Sequence, residues 1–159
     1  MVTVTLDELI REIEDPELPH VTIGDLGIVR SVDVDADAGV AIVVLTPTYT
    51  GCPATEQIRD DVAAAVGHAG YTPDVRFAIS PPWTTDWITE RGRERLLAAG
   101  ITPPPPVGEH GVTLVEPPVA CPRCSSRRTR LISQFGATAC KASYVCNACT
   151  EPFELFKAL

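Results

Sequence analysis

The chain has 159 residues, 45% of them hydrophobic, with 13 basic against 21 acidic side chains and six cysteines. That length fits one domain plus a small appendage, the apolar content excludes a disordered chain, and apolar runs such as Val40–Leu45 fall far short of the roughly 20 residues a bilayer span needs. The net charge of −8 is split into −11 over residues 1–110, which hold seven Arg and no Lys against 18 acidic residues, and +3 over residues 111–159, so the larger part should repel nucleic acid and anionic lipid.

Met1 to Glu17 shows no basic head, long apolar centre or small-residue cleavage site, so no signal peptide is expected and the expected location is cytoplasmic. In that compartment six cysteines point to metal or thiol chemistry rather than to a disulfide frame. Thr5-Leu6-Asp7-Glu8 reads as a capping box. Leu6, Leu9, Ile10 and Ile13 follow at helical spacing, and Asp15-Pro16 should stop that helix. Residues 27–34 and 40–45 read as two strands joined by the turn 35–39.

The loop 46–53 leads into a helix over about 53–67, with Pro53 suited to its first position and Cys52 at the expected N-cap. Val75, Phe77 and Ile79 alternate as a third strand, and a helix over about 86–99 should close at Gly100. The order helix-strand-strand-helix-strand-helix predicts a small α/β domain over residues 1–102. The four prolines Pro103 to Pro106 open a stiff linker over 103–111, expected to keep the core of that domain apart from the tail. Residues 112–116 could form a strand at the start of a second unit over 112–159.

Five of the six cysteines lie in that tail. Cys121-x2-Cys124 and Cys146-x2-Cys149 are two identical pairs separated by 21 residues, a spacing that a β-hairpin absorbs. Two such knuckles close a tetrahedral four-thiolate site, structural because no position stays open for substrate. A unit of this size needs such a metal, since its own core is too small. Zinc is the default ion, and iron fits the same four sulfurs. Arg127, Arg128 and Arg130 beside the site could grip an anion or form a solvated face.

Two cysteines remain. Cys52, placed at a helix start, would have its thiolate stabilised by the free N–H groups there; equally, it could be a small apolar core residue. None of His20, His68 and His110 is placed as its base, which gives a thiol enzyme no support. Cys140, midway between the knuckles, could be a fifth ligand, a reactive thiol beside Lys141, or packing. Asp15 and Glu17, flanking Pro16, and Asp25 could serve acid–base or metal chemistry, although such residues more often shape turns.

Asp15-Pro16-Glu17, Asp25-Leu26-Gly27-Ile28-Val29 and the stretch from Leu45-Thr46 to Gly51-Cys52-Pro53 resemble the domain of unknown function 59, or MIP18-like, family over about residues 3–101. That resemblance implies a link to iron–sulfur cluster assembly and a functional cluster of Asp15, Glu17, Thr48 and Cys52. Pro81-Pro82-Trp83, Cys121-Pro122-Arg123-Cys124, Gln134-Phe135-Gly136, Cys140-Lys141-Ala142 and Cys149-Thr150-Glu151-Pro152-Phe153 extend the similarity to the D-subunit family of phenylacetyl-CoA epoxidase systems. Ser125 departs from the glycine usual there, although serine can also enter a left-handed turn, at some strain.

The resemblance implies a small MIP18-like domain followed by a zinc-ribbon β-hairpin domain. It also implies an accessory, non-enzymatic role in aerobic phenylacetate degradation, namely delivery of iron or an iron–sulfur cluster to partner subunits. Those partners would be the di-iron oxygenase or the reductase with its flavin and [2Fe–2S] cluster. The expected cofactors are a structural Zn2+ in the tail and a transient iron or iron–sulfur cluster at Cys52. The competing reading is a nucleic-acid- or protein-binding zinc ribbon without a maturation role, of which nucleic-acid binding is disfavoured by the acidic first part.

Overall fold

The computed structural model describes residues 4–104 and 118–157; most of the expected linker and the possible strand over 112–116 lie outside them. Helix α1, Leu6–Arg11, begins at the expected capping box, with Thr5 accepting from the Glu8 N–H and Glu8 accepting from the Thr5 N–H. It stops earlier than the expected proline boundary. Ile13 N–H has already turned back to the Ile10 carbonyl, and Glu14 pairs with Thr22 as an isolated bridge. Ile10 is buried, whereas Leu9, expected on the same apolar face, is 49% exposed.

Strands β1 (Val29–Asp35) and β2 (Val40–Leu45) form the expected antiparallel hairpin, with an irregularity between Val29 and Ser31. Helix α2 (Ala54–His68) crosses over to β3 (Thr72–Phe77), which pairs parallel with β2. The sheet order is therefore β1-β2-β3. Ala41, Val43 and Leu45 of β2 face inward at 0% exposure, matched by Ile58, Val62 and Val66 of α2, the period-2 and period-3.6 stripes that a strand and a helix bury. Ile79, expected in the third strand, lies beyond it and is 73% exposed.

The expected last helix is two pieces: a 3-10 turn over Thr85–Trp87, then α3, Glu90–Ala98, capped by the Thr89 hydroxyl on the Gly92 N–H. Gly27 lies between the 3-10 turn and the start of β1. At φ +68°, a Cβ there would stand 2.5 Å from the Trp87 carbonyl oxygen, so only glycine permits this contact.

After α3 the chain forms β4 (Ile101–Thr102), which belongs to the tail's sheet. With β5 (Thr129–Ser133), β6 (Lys141–Cys146) and β7 (Pro152–Phe156), the order is β4-β7-β6-β5; β4 is parallel to β7 and the rest are antiparallel. The separation of cores expected from the proline run is not what the structure has. Phe156 and Cys140 are buried within the main core, and Phe156 meets Trp83 edge-on with ring centroids 5.9 Å apart. The physical reason is the shortage of apolar residues in the tail. Its own cluster, Cys121, Cys146 and Phe153 with Val119, Tyr144 and Cys149 around them, is small, so further burial is gained only against the first part.

Candidate functional site

The four tail cysteines converge. Cys121 Sγ lies 3.7 Å from Cys149 Sγ, and Cys124 Sγ lies 3.6 Å from Cys146 Sγ. All four sulfurs fall within 4.8 Å of one another, the only such group of three or more His, Cys, Asp or Glu side chains among the described residues. Sulfurs held tetrahedrally at about 2.3 Å from one ion stand about 3.8 Å apart, which fits these separations.

The two knuckles share one backbone pattern. Cys121 accepts from Ser125 N–H and donates to Ser126; Cys146 accepts from Thr150 N–H and donates to Glu151. Ser125 and Thr150 occupy the same place in each and both have positive φ, +59° and +63°, so the left-handed turn that serine can enter at some strain is adopted in both knuckles, by Ser125 and by Thr150. Backbone N–H groups of Cys149 and Ala148 hold the Cys146 thiol down to about 6. The Ser126 N–H also pulls on Cys124, but desolvation and the neighbouring sulfurs outweigh it and push that thiol up to about 12. Four thiols this close ionise together only with a cation among them. The tail is a metal-binding site.

The second site is a cleft where the two parts of the chain meet. It is lined by Asp15, Glu17, Thr48 and Cys52 from the first part, together with Thr138, Cys140 and Phe156 from the tail. All four residues of the expected functional cluster therefore face one space. Asp15 is set by a turn: its carboxylate accepts from the Glu17 N–H at 2.8 Å, while its own N–H donates to the Val21 carbonyl. Its side chain is buried, and burial raises its pKa, only partly offset by the Glu17 N–H. The turn-shaping reading of Asp15 is thus met, and the same side chain lines the cleft.

Cys52 requires a correction. The N-cap of α2 is Pro53, without a side-chain cap bond, so Cys52 stands one residue outside the helix. Burial pushes its thiol up; the Ala54 N–H opposes this and the Asp15 carboxylate adds to it. The expected lowering at a helix start is therefore overruled by desolvation. Cys140 is also pushed up by burial, against the pull of the Thr138 hydroxyl 3.0 Å from its sulfur and of Lys141. A role as a fifth tail ligand does not fit, since it lies in the main core, away from the quartet.

Sequence reasoning misses Tyr49, Thr138 and Phe156 as parts of this cleft. Tyr49 lies inside the loop marked by the resemblance, and its hydroxyl is raised by burial and by Cys52, Cys140 and Glu17. Lys141 stands out in the sequence only as a neighbour of Cys140. It is buried, and pairs with Glu154 at 2.8 Å.

Asp25 lies elsewhere, as a structural clasp. Its fully buried carboxylate takes Arg91 Nε at 2.6 Å, Arg95 at 2.7 Å and the Thr22 N–H at 3.2 Å. Burial would raise its pKa, but these partners prevail and hold it below the ordinary range. Arg127, Arg128 and Arg130 are all exposed at and just before β5, and Arg128 donates to the Asn147 carbonyl of the second knuckle.

Comparison with known proteins matches these two parts. A family model for iron–sulfur cluster assembly proteins covers residues 5–77, and one for the PaaD zinc beta ribbon domain covers residues 105–157. The chain is 47% identical over 152 residues to an Escherichia coli K12 protein provisionally named as the D-subunit of 1,2-phenylacetyl-CoA epoxidase, covering 95% of this chain and 90% of that one. It is 38% identical over 96 residues to an Fe-S protein maturation auxiliary factor of Porphyromonas gingivalis, 58% of this chain and 85% of the other. A crystal structure of a domain of unknown function 59 from Bacillus anthracis superposes with a TM-score of 0.52 at 29% identity, covering 57% of this chain and 87% of that one. No helix among the described residues is long and apolar enough to cross a membrane. The chain belongs to the D-subunit family of phenylacetyl-CoA epoxidase systems, in which an iron–sulfur cluster assembly domain precedes a zinc β-ribbon.

Proposed function

We propose that this protein is a non-enzymatic maturation factor that delivers iron or an iron–sulfur cluster to the partner subunits of a phenylacetyl-CoA epoxidase system. The observation that carries this reading is the convergence of Asp15, Glu17, Thr48 and Cys52 on one cleft of a domain matching the cluster-assembly model. A soft thiolate with hard carboxylates beside it suits a borderline cation such as ferrous iron. Burial and the neighbouring Asp15 carboxylate raise the Cys52 thiol, which favours its protonated form until a cation arrives. The incoming ion then displaces the thiol proton. Such a site loads and releases; it does not retain a permanent cofactor.

Cys121, Cys124, Cys146 and Cys149 hold a structural zinc ion in this reading, and the ribbon docks the assembly domain through Phe156. Support comes from the sulfur spacing and from the ribbon model matched by the tail. Elemental analysis of protein from cells replete in zinc and iron should give about one zinc per chain. Iron in its place, or four freely titrating tail thiols in the folded protein, would overturn the assignment. The maturation role is tested by co-expressing Cys52→Ser with the epoxidase subunits and measuring their iron. Loss of iron with the variant folded and zinc-loaded is the expected result, and full iron occupancy would refute it.

A further inference from the structure

Cys140 is held in place by more than packing. The loop before β6 folds back on itself, with Gly136 N–H on the Lys141 carbonyl at 2.8 Å and Lys141 N–H on the Thr138 carbonyl at 3.1 Å. The Cys140 carbonyl accepts from Lys157 N–H at 2.9 Å, and its sulfur lies 3.0 Å from the Thr138 hydroxyl. The Ala137 N–H is bound by Glu154, whose other oxygen holds the buried Lys141. This scaffold carries a thiol out of the ribbon, whose own metal set is already complete with four sulfurs, into the cleft that Cys52 lines. Both cysteines are free thiols.

We propose that Cys140 is the second thiolate of the cargo site, so that one ferrous ion is taken jointly by Cys52 and Cys140, with Asp15 or Glu17 supplying oxygen. This rests on the maturation reading above and adds that the site belongs to neither part alone: the assembly domain supplies one sulfur and the ribbon the other. Two thiolates neutralise the two positive charges of the ion, and soft sulfur with hard oxygen matches its borderline character. On binding, each S–H bond breaks, its proton leaves to solvent and an iron–sulfur bond forms, with iron remaining ferrous. Among the described residues only the tail quartet draws three or more donors within 4.8 Å. The cleft donors stand farther apart than that, so the side chains of Cys52, Cys140 and the carboxylate must draw together around the ion when it binds.

The test uses the full chain with its ribbon filled by zinc, titrated anaerobically with cobalt(II) as a spectroscopic stand-in for ferrous iron. The unaltered protein should bind one cobalt ion with the thiolate-to-metal absorption of two sulfurs. Cys140→Ser and Cys52→Ser should each halve that absorption and weaken binding by at least about tenfold. If Cys140→Ser leaves intensity and affinity unchanged while Cys52→Ser abolishes binding, the shared site is wrong and the maturation reading stands. If the unaltered chain takes up no cobalt beyond its ribbon, both fail.

A second measurement needs no variant. Phenylarsine oxide condenses with two neighbouring thiols: two S–H and the As=O bonds break, two As–S bonds form, and the oxygen leaves as water. One arsenic joining the peptides that contain Cys52 and Cys140, found by mass spectrometry, supports the pair. Arsenic confined to the tail quartet, or on either cysteine singly, overturns it.

Discussion

Replacing Phe156 with alanine tests whether the ribbon and the assembly domain fold as one cooperative unit. The ring is 1% exposed, sits among the core residues of the first part and meets Trp83 edge-on at 5.9 Å. Truncating a buried phenylalanine costs about 3–5 kcal/mol, of which the ring pair accounts for about 0.5–1.5 kcal/mol. Against a total stability of about 5–15 kcal/mol, that loss is large. Two probes separate the parts in a urea titration: fluorescence of Trp83 and Trp87 reports the first, and capture of released zinc by a coloured chelator reports the tail.

The unaltered chain should give coincident transitions. Phe156→Ala should move the fluorescence midpoint down by about 1.5 M urea, taking about 3 kcal/mol and a slope of about 2 kcal/mol/M. The tail metal should stay bound in native buffer, because the cluster around the tail sulfurs contains Phe153 and not Phe156. Transitions already separate in the unaltered chain, or a loss below about 1 kcal/mol, would refute the shared core.

Asp25→Asn should destabilise the fold by about 3 kcal/mol, because Arg91 and Arg95 lose the buried charge they converge on; chemical denaturation checks this. Since the Asp25 carboxyl lies below its unfolded value, its stabilisation is fully present above about pH 4 and fades as pH falls through the folded value. The variant should therefore show a flatter acid-unfolding profile, and an unchanged profile would contradict the clasp. Cys124→Ser or removal of the tail metal by chelation should lower the stability read by tryptophan fluorescence as well as unfold the tail, since β4 and the main core depend on β7 and Phe156. Ser125→Gly should raise tail stability by about 1 kcal/mol, as glycine relieves the left-handed backbone at φ +59°; thermal zinc release at constant pH measures it.

Much of the first part is legible because its elements carry strong local signals. Val40–Leu45 matches β2 residue for residue, and Thr5 with Glu8 marks the start of α1. The four-cysteine spacing likewise identifies the tail metal set. Long-range effects are not legible. The pairing of Ile101–Thr102 with β7 and the entry of Phe156 into the main core join residues about 50 to 70 apart, and no local pattern encodes such contacts. The direction of the Cys52 shift fails for a related reason. A helix start favours thiolate locally, but the desolvation that overrides it comes from the surrounding fold. Asp25 offers no sequence sign of its two arginine partners, which lie on α3.

Whether Cys52 handles iron for partner subunits can be read from the iron content of those partners in cells carrying Cys52→Ser. The oxygenase and reductase subunits are purified from cells grown on phenylacetate, and iron per chain is measured beside cells with the unaltered protein. The variant must be present at normal levels with its tail metal intact, as expected because Cys52 is not among the four tail ligands. Iron in at least one of the two partners should fall, and growth on phenylacetate should slow. Full iron in both partners would mean that Cys52 is only part of the core.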